Sequence, residues 1–349
     1  MPTHEDFEIV THDGLNLRAI LSKPNSSRAR VLLLSGSGNV GAGGDVSSPF
    51  VGGPLRGQLA HLNEQFAQAL MKKGFASLRY DKRGFTDPNQ VATQTLPNLL
   101  ADAEAALALL HKTVPDLPTF ILGFSEGALL ATLLAPLAKP SAVFLLAPPT
   151  RSHPEALRYQ FVDWPMRVLK SLDPNDNGWL VKDSLYGADI PYMPLGDFDP
   201  VLASFGLTLP SVETLRLPFD GEGRLFFSTI KALYEERWKM ISALLQAPFM
   251  KALYESYLAL PPFSELAAKV TAPVHVYYGT KDSQIDPAWM AADAKAFPRL
   301  EKTAAFVNYG HCFAPMEGVI GQTKISGPIS DDVLDAIVAD VERACLIEG

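Results

Sequence analysis

Thr119-Phe120-Ile121-Leu122-Gly123-Phe124-Ser125-Glu126-Gly127-Ala128-Leu129-Leu130-Ala131 joins a short apolar run, a knot of small residues and an Ala/Leu-rich continuation. The run has the length of a buried strand and the continuation the composition of a helix, so the stretch predicts strand, sharp turn and helix in succession. Gly123-Phe124-Ser125-Glu126-Gly127 fits the G-x-S-x-G nucleophile elbow. Both glycines matter there, because backbone pressed that tightly against its neighbours leaves no room for a Cβ. On such a turn the serine hydroxyl is lifted clear of the sheet. The positive end of the following helix then faces whatever negative charge develops beside it. Ser125 is the candidate nucleophile.

Strand and helix alternate on both sides of this stretch. Phe7–Val10 and Leu15–Ile20 alternate apolar and polar residues around the turn His12-Asp13-Gly14, which predicts an antiparallel hairpin. Val31–Leu34 is a continuous apolar run, as expected of a strand buried on both faces, and leads into a glycine-rich loop from Ser35 to about Gly57. Gln58–Lys73 reads as a helix ended by Gly74, Ala76–Tyr80 as a strand, Leu96–Thr113 as a helix and Ala142–Leu146 as a strand. The rhythm then stops at about Arg151. It resumes with a strand at Val274–Tyr278, a helix at Pro287–Phe297, a strand at Ala304–Val307 and a closing helix at Asp331–Cys345. The pattern predicts an α/β fold with a mostly parallel central sheet and helices on both faces. Residues 1–150 and 269–349 would form the core and 151–268 a large, mainly helical insertion. That insertion holds 17 of the chain's 33 aromatic residues, with helical regions at His153–Leu172 and Leu225–Leu260 around a proline-rich middle, Ile190–Phe219.

In an open parallel sheet, reactive residues gather at the carboxyl ends of the strands. Three such ends here carry Ser125, Asp282 and His311 in chain order. Asp286 lies in the same loop as Asp282, and by position either could reach the histidine. Serine, acid, histidine is the order of the α/β-hydrolase triad. With its elbow and the Gly279-Thr280-Lys281-Asp282 acid turn, the chain resembles the α/β-hydrolase superfamily of serine esterases, lipases and thioesterases. The resemblance implies that Ser125 attacks a carbonyl carbon, His311 relays its proton, and Asp282 fixes the imidazole tautomer. It further implies an oxyanion hole from the backbone N–H groups of Glu126 and Ser37, the latter in Ser35-Gly36-Ser37-Gly38, where many members carry His-Gly-x. An insertion at this point is commonly a cap that shapes the substrate pocket. Its aromatic composition implies a carboxylic ester with a bulky hydrophobic or aromatic portion, cleaved through an acyl-enzyme. A thioester, a peptide or a carbon–carbon bond would suit the same triad, and a hydrolase fold can also serve as a non-catalytic binding module.

The remaining features narrow the alternatives. A chain of 349 residues with a net charge of −8 lacks the basic footprint of a nucleic-acid binder. It has no apolar stretch of membrane-spanning length. Its start, Met1-Pro2-Thr3-His4-Glu5-Asp6, has no signal-peptide pattern, so a soluble, cytoplasmic protein is expected. Cys312 and Cys345 make no disulfide framework. Gly36-Ser37-Gly38-Asn39-Val40-Gly41 matches a dinucleotide fingerprint, yet the glycines and prolines after it forbid the helix that must meet the pyrophosphate. Asp173–Ser184 begins like a calcium-binding loop but ends in Ser184 in place of the bidentate glutamate. No cofactor and no metal are therefore expected. The expected partner is a small-molecule ester, without nucleic acid or membrane. Arg79, Asp81 and Arg83 are expected to form an ion-pair network that positions loops.

Overall fold

The computed structural model describes residues 3–45, 61–85, 87–181, 219–316 and 328–348. Eight strands form one sheet in the order β1-β2-β4-β3-β5-β6-β9-β10. β1 (Thr3–Val10) and β2 (Asn16–Lys23) pair antiparallel from Thr3↔Lys23 to Val10↔Asn16, and β2 pairs antiparallel with β4 (Phe75–Tyr80). From β4 onward every neighbour is parallel: β3 (Ala29–Leu34), β5 (Thr119–Phe124), β6 (Ala142–Leu146), β9 (Val274–Gly279) and β10 (Leu300–Phe306). Every residue of β3, β4 and β6 is buried, because helices cover both faces of the parallel region. α1 (Leu62–Lys72) packs with the last helix, and α2 (Leu96–Thr113) packs with α3 (Glu126–Ala138).

β10 starts four residues before the expected Ala304. As the edge strand it alternates half-buried and exposed residues, so its first half lacks the continuous apolar run that marks a central strand. Lys302, on the half-buried side, reaches Asp340 Oδ2 at 2.6 Å. Residues 46–60, most of the glycine-rich loop and the first turn expected of α1, lie outside the described residues. So does the proline-rich middle, 190–218.

The elements between β6 and β9 are helices and a short hairpin. α4 (His153–Arg158) continues through a π turn at Tyr159–Asp163 into α5 (Trp164–Lys170); β7 (Trp179–Val181) pairs with β8 (Arg224–Phe226). Asp173 closes the turn before β7 by accepting the Gly178 N–H at 2.8 Å. α6 (Phe227–Leu245), α7 (Pro248–Leu258) and α8 (Phe263–Ala267) lead back to the sheet, followed after β9 by α9 (Pro287–Asp293) and finally α10 (Asp331–Glu348). Among the described residues, hydrogen bonds and ion pairs tie this segment to the rest of the fold. On one side Tyr159 Oη donates to Asp282 O at 2.9 Å, Gln160 Nε2 to Gln284 O at 3.0 Å and Arg167 Nη2 to Asp286 Oδ2 at 2.9 Å. On the other, Leu96 N–H at the start of α2 donates to Ser256 Oγ of α7 at 3.0 Å.

The expected Arg79–Asp81–Arg83 network does not form as one unit. In an extended chain, alternate side chains share a face but neighbouring elements supply closer partners. Arg79 donates to Ser22 Oγ at 2.6 Å, and Asp81 Oδ1 accepts the Ala42 N–H at 2.7 Å. Arg83, fully buried, pairs with both oxygens of Asp102 at 2.6 and 2.7 Å and with Asp13. Two of the three still tie down loops, each separately.

Candidate active site

β5 ends in the elbow the sequence predicts. Ser125 stands at φ 52° and ψ −120°, a region that L-residues other than glycine rarely occupy, and α3 begins at the next residue. The Ser125 N–H is held by Leu146 O of β6 at 2.8 Å, and its carbonyl accepts the Ala128 N–H at 2.8 Å. A Cβ on Gly127 would stand 2.2 Å from Leu34 O, and one on Gly123 would stand 2.2 Å from Gly127 O. Both glycines are thus fixed by the closeness of strand, turn and helix.

Asp282 and His311 meet at the ends of β9 and β10. His311 Nδ1 lies 2.8 Å from Asp282 Oδ2. Both are deeply buried, at 3% and 0% exposure, so the pair is shielded from competing water. The other oxygen of Asp282 accepts the N–H groups of Gln284 at 2.8 Å and Ile285 at 2.9 Å, which fixes the carboxylate plane. Gly279 allows the two loops to touch, since a Cβ there would stand 2.2 Å from Tyr309 O. Burial pushes the Tyr159 phenol up, so it stays protonated and able to donate to the Asp282 carbonyl. Asp286 is engaged elsewhere: it caps α9 through the Ala288 N–H at 2.9 Å and pairs with Arg167. The His311 ring packs on Phe124, the residue before Ser125, with centroids 5.0 Å apart.

The loop after β3 lies against the elbow: a Cβ on Gly36 would be 3.4 Å from Ser125 Cβ. Ser37, next in that loop, is exposed and lines a cavity of about 550 Å³ together with Ser125 and Glu126. Glu126 occupies the first turn of α3, where a backbone N–H has no intrahelical acceptor. Between loop and helix sits Lys82, 4% exposed. Its ammonium donates to Gly36 O at 2.8 Å and to the Glu126 carboxylate, whose other oxygen accepts the Tyr257 hydroxyl of α7. Neither Lys82 nor Tyr257 stands out in the sequence. Lys82 does sit just past the carboxyl end of β4, where reactive side chains of such sheets collect, and that position was the available signal. Most cavity walls are apolar, including Leu129 and the insertion's Leu157, Phe161, Ile241 and Leu253.

The fingerprint-like loop does not open into a helix over Gly36–Asp45, and Lys82 N–H and Asp81 sew it to the end of β4 instead. Among the described residues no cluster of His, Cys, Asp or Glu is arranged to hold a metal, and no helix is long and apolar enough to cross a membrane. Cys312 and Cys345 are not joined in a disulfide.

Known proteins match this arrangement. A family model described as serine aminopeptidase, S33, matches residues 56–187, a span that includes Ser125 and ends before Asp282. Esterase EstD of Thermotoga maritima is 29% identical over 171 residues, which cover 48% of this chain and 38% of that protein. The chain thus spans well under half the length of that curated relative. Two solved structures superpose over nearly the whole chain at 15% identity. DcsB in complex with its substrate analogue gives a TM-score of 0.57, covering 99% of this chain and 100% of that one. A thermostable carboxyl esterase from Bacillus coagulans gives 0.55, covering 98% and 99%. With its sheet order, its strand-to-helix serine turn and these superpositions taken together, the chain has the α/β-hydrolase fold.

Proposed function

We propose that this protein is a serine hydrolase of carboxylic esters with Ser125 as nucleophile. The observation that carries the reading is the buried 2.8 Å contact between His311 Nδ1 and Asp282 Oδ2, in a histidine packed on the residue before a strained serine. With Nδ1–H donated to the carboxylate, Nε2 is the basic nitrogen. His311 takes the Ser125 proton as the hydroxyl attacks the ester carbonyl, and Asp282 offsets the imidazolium that forms. The N–H groups of Ser37 and Glu126 receive the oxyanion, an interaction usually worth on the order of 10²–10³ in rate per donor. Collapse of the tetrahedral intermediate expels the alcohol, protonated by His311. Water, activated by the same histidine, then releases the acid.

We read the insertion as a cap over this chemistry. Its apolar side chains supply much of the cavity wall, which supports an ester with a bulky hydrophobic portion. The esterase among the relatives supports the same bond class, while the aminopeptidase family model favours a second reading, cleavage of a peptide. Purified protein assayed on p-nitrophenyl esters and on matched p-nitroanilides separates them. Turnover of the esters that Ser125→Ala lowers by about 10⁴ in kcat supports the proposal. Turnover of the anilides at comparable kcat/KM transfers it to the peptidase reading, and turnover of neither, with no effect of Ser125→Ala, leaves a binding module.

A further inference from the structure

The two backbone donors proposed for the oxyanion hole are held by different means. The Glu126 N–H shares its peptide with the Ser125 carbonyl, which accepts the N–H groups of Ala128 at 2.8 Å and Leu129 at 3.3 Å. Helix α3 therefore fixes the first donor. The Ser37 N–H lies in a loop and shares its peptide with the Gly36 carbonyl. A peptide unit is planar and trans, so its C=O and N–H point in opposite directions. Whatever holds Gly36 O thereby sets the direction of the Ser37 N–H.

Among the described residues the hydrogen-bond partner of that unit is Lys82, whose Nζ donates to Gly36 O at 2.8 Å. The Lys82 backbone N–H donates to Val40 O at 2.9 Å, so main chain and side chain grip the same loop at two points. The ammonium also donates to the Glu126 carboxylate, which accepts the Tyr257 hydroxyl. One buried cation thus spans the peptide that carries one donor and the residue that carries the other. Ser37 and Glu126 line the cavity and Lys82 does not, so the lysine acts from behind the wall. A charged donor on a carbonyl also polarises the peptide, which strengthens the N–H at its other end.

We propose that Lys82 is a positioning residue for the oxyanion hole. Through Gly36 O it aims and polarises the Ser37 N–H, and through the Glu126 carboxylate it sets the spacing between the two donors. The inference rests on Ser125 being the nucleophile and on these two N–H groups receiving the oxyanion. The ester oxygen takes up its charge only as Ser125 attacks, so the benefit arises in the transition state. Loss of Lys82 therefore falls on kcat and leaves KM in place.

The test uses Lys82→Met/Glu126→Gln, which leaves no charge buried alone and keeps an acceptor for Tyr257. Three probes share one acyl chain: a p-nitrophenyl ester, a trifluoromethyl ketone that adds to a serine nucleophile as a hemiketal oxyanion, and the unreactive methyl ketone. In the double variant kcat should fall about 10- to 100-fold, part of the 10²–10³ that loss of a whole donor costs. Affinity for the trifluoromethyl ketone should fall by a similar factor. KM and affinity for the methyl ketone should stay within about 3-fold, as groups that act only on the transition state leave ground-state binding alone. A lysine that only braced the fold would lower the melting temperature of Lys82→Met and leave kcat and trifluoromethyl ketone affinity of the folded double variant unchanged; that result overturns the inference. Lys82→Arg, which keeps a cation at this position, gives a second measurement: kcat and trifluoromethyl ketone affinity should move together, and movement of one alone also overturns it. The unsubstituted protein and Ser125→Ala keep the two readings apart. Ser125-dependent cleavage with an unaffected double variant removes this inference alone. No cleavage, with the trifluoromethyl ketone bound no better than the methyl ketone, removes the hydrolase reading and this inference with it.

Discussion

Ser125 is held where a side chain is costly, at φ 52° and ψ −120°, and strain of this kind is worth on the order of 1–3 kcal/mol. Ser125→Gly relieves it and Ser125→Ala does not, so thermal denaturation should find the glycine variant more stable than the alanine one by about 1 kcal/mol. The opposite order would mean that the elbow is not strained. The two elbow glycines and the serine are legible in the sequence because the turn is local: every atom that forbids a Cβ comes from the elbow itself or from the end of β3. The acid is less legible. Asp282 and Asp286 share one loop, and spacing alone does not say which carboxylate turns inward. Their partners separate them, since Asp282 meets His311 while Asp286 caps α9 and pairs with Arg167. Asp282→Asn should therefore lower ester turnover by about 10⁴, as loss of the tautomer-fixing acid does in other triads. Asp286→Ala should leave kcat within a few-fold and cost about 1 kcal/mol of stability through the cap. Steady-state kinetics and denaturant titration on both variants check the pair.

At the scale of elements, Lys82 joins three segments that chain order keeps apart: the loop after β3, the first turn of α3, and α7 of the insertion. Both backbone donors proposed for the oxyanion hole lie on the first two. Lys82→Met would leave the Glu126 carboxylate buried without its cation, and breaking a buried pair from one side typically costs about 3–5 kcal/mol. The expected result is a lower denaturation midpoint together with reduced kcat. In Lys82→Met/Glu126→Gln the stability should largely return, because no charge is left buried alone. A Lys82→Met protein as stable as its parent would contradict the pairing. No local pattern announces this contact, since the lysine's partner is 44 residues away and its neighbour Tyr257 farther still. The helices of the insertion, by contrast, are visible as apolar periodicity. Their anchoring is not, because it runs through single side chains such as Tyr159 and Arg167 against a loop more than a hundred residues downstream.

For the molecule as a whole, the alternation of apolar runs with Ala/Leu-rich helices was enough to foresee a mostly parallel sheet, because strands covered on both faces must be apolar throughout. Edge strands escape that rule, which is why β10 reads shorter than it is. The same burial sets a pH response. His275 stacks on Phe144 inside the sheet layer, with centroids 4.7 Å apart, and burial lowers its pKa to about 4 from an ordinary value of 6.5. Between pH 6.5 and 4 the unfolded chain binds a proton at this position and the folded chain does not, so stability falls as pH falls through that window. His275→Phe keeps the stack and removes the titration. Its melting temperature should decline less steeply than that of the parent across that window; parallel declines would show that His275 does not titrate differently on folding. The central claim, that Ser125 carries the acyl group during turnover, is tested most directly by acid-quenching the protein while it turns over a p-nitrophenyl ester and mapping the adduct by peptide mass spectrometry. The account predicts an added acyl mass on the peptide containing Ser125 and none in Ser125→Ala. An adduct on another residue, or undiminished turnover by Ser125→Ala, would contradict it.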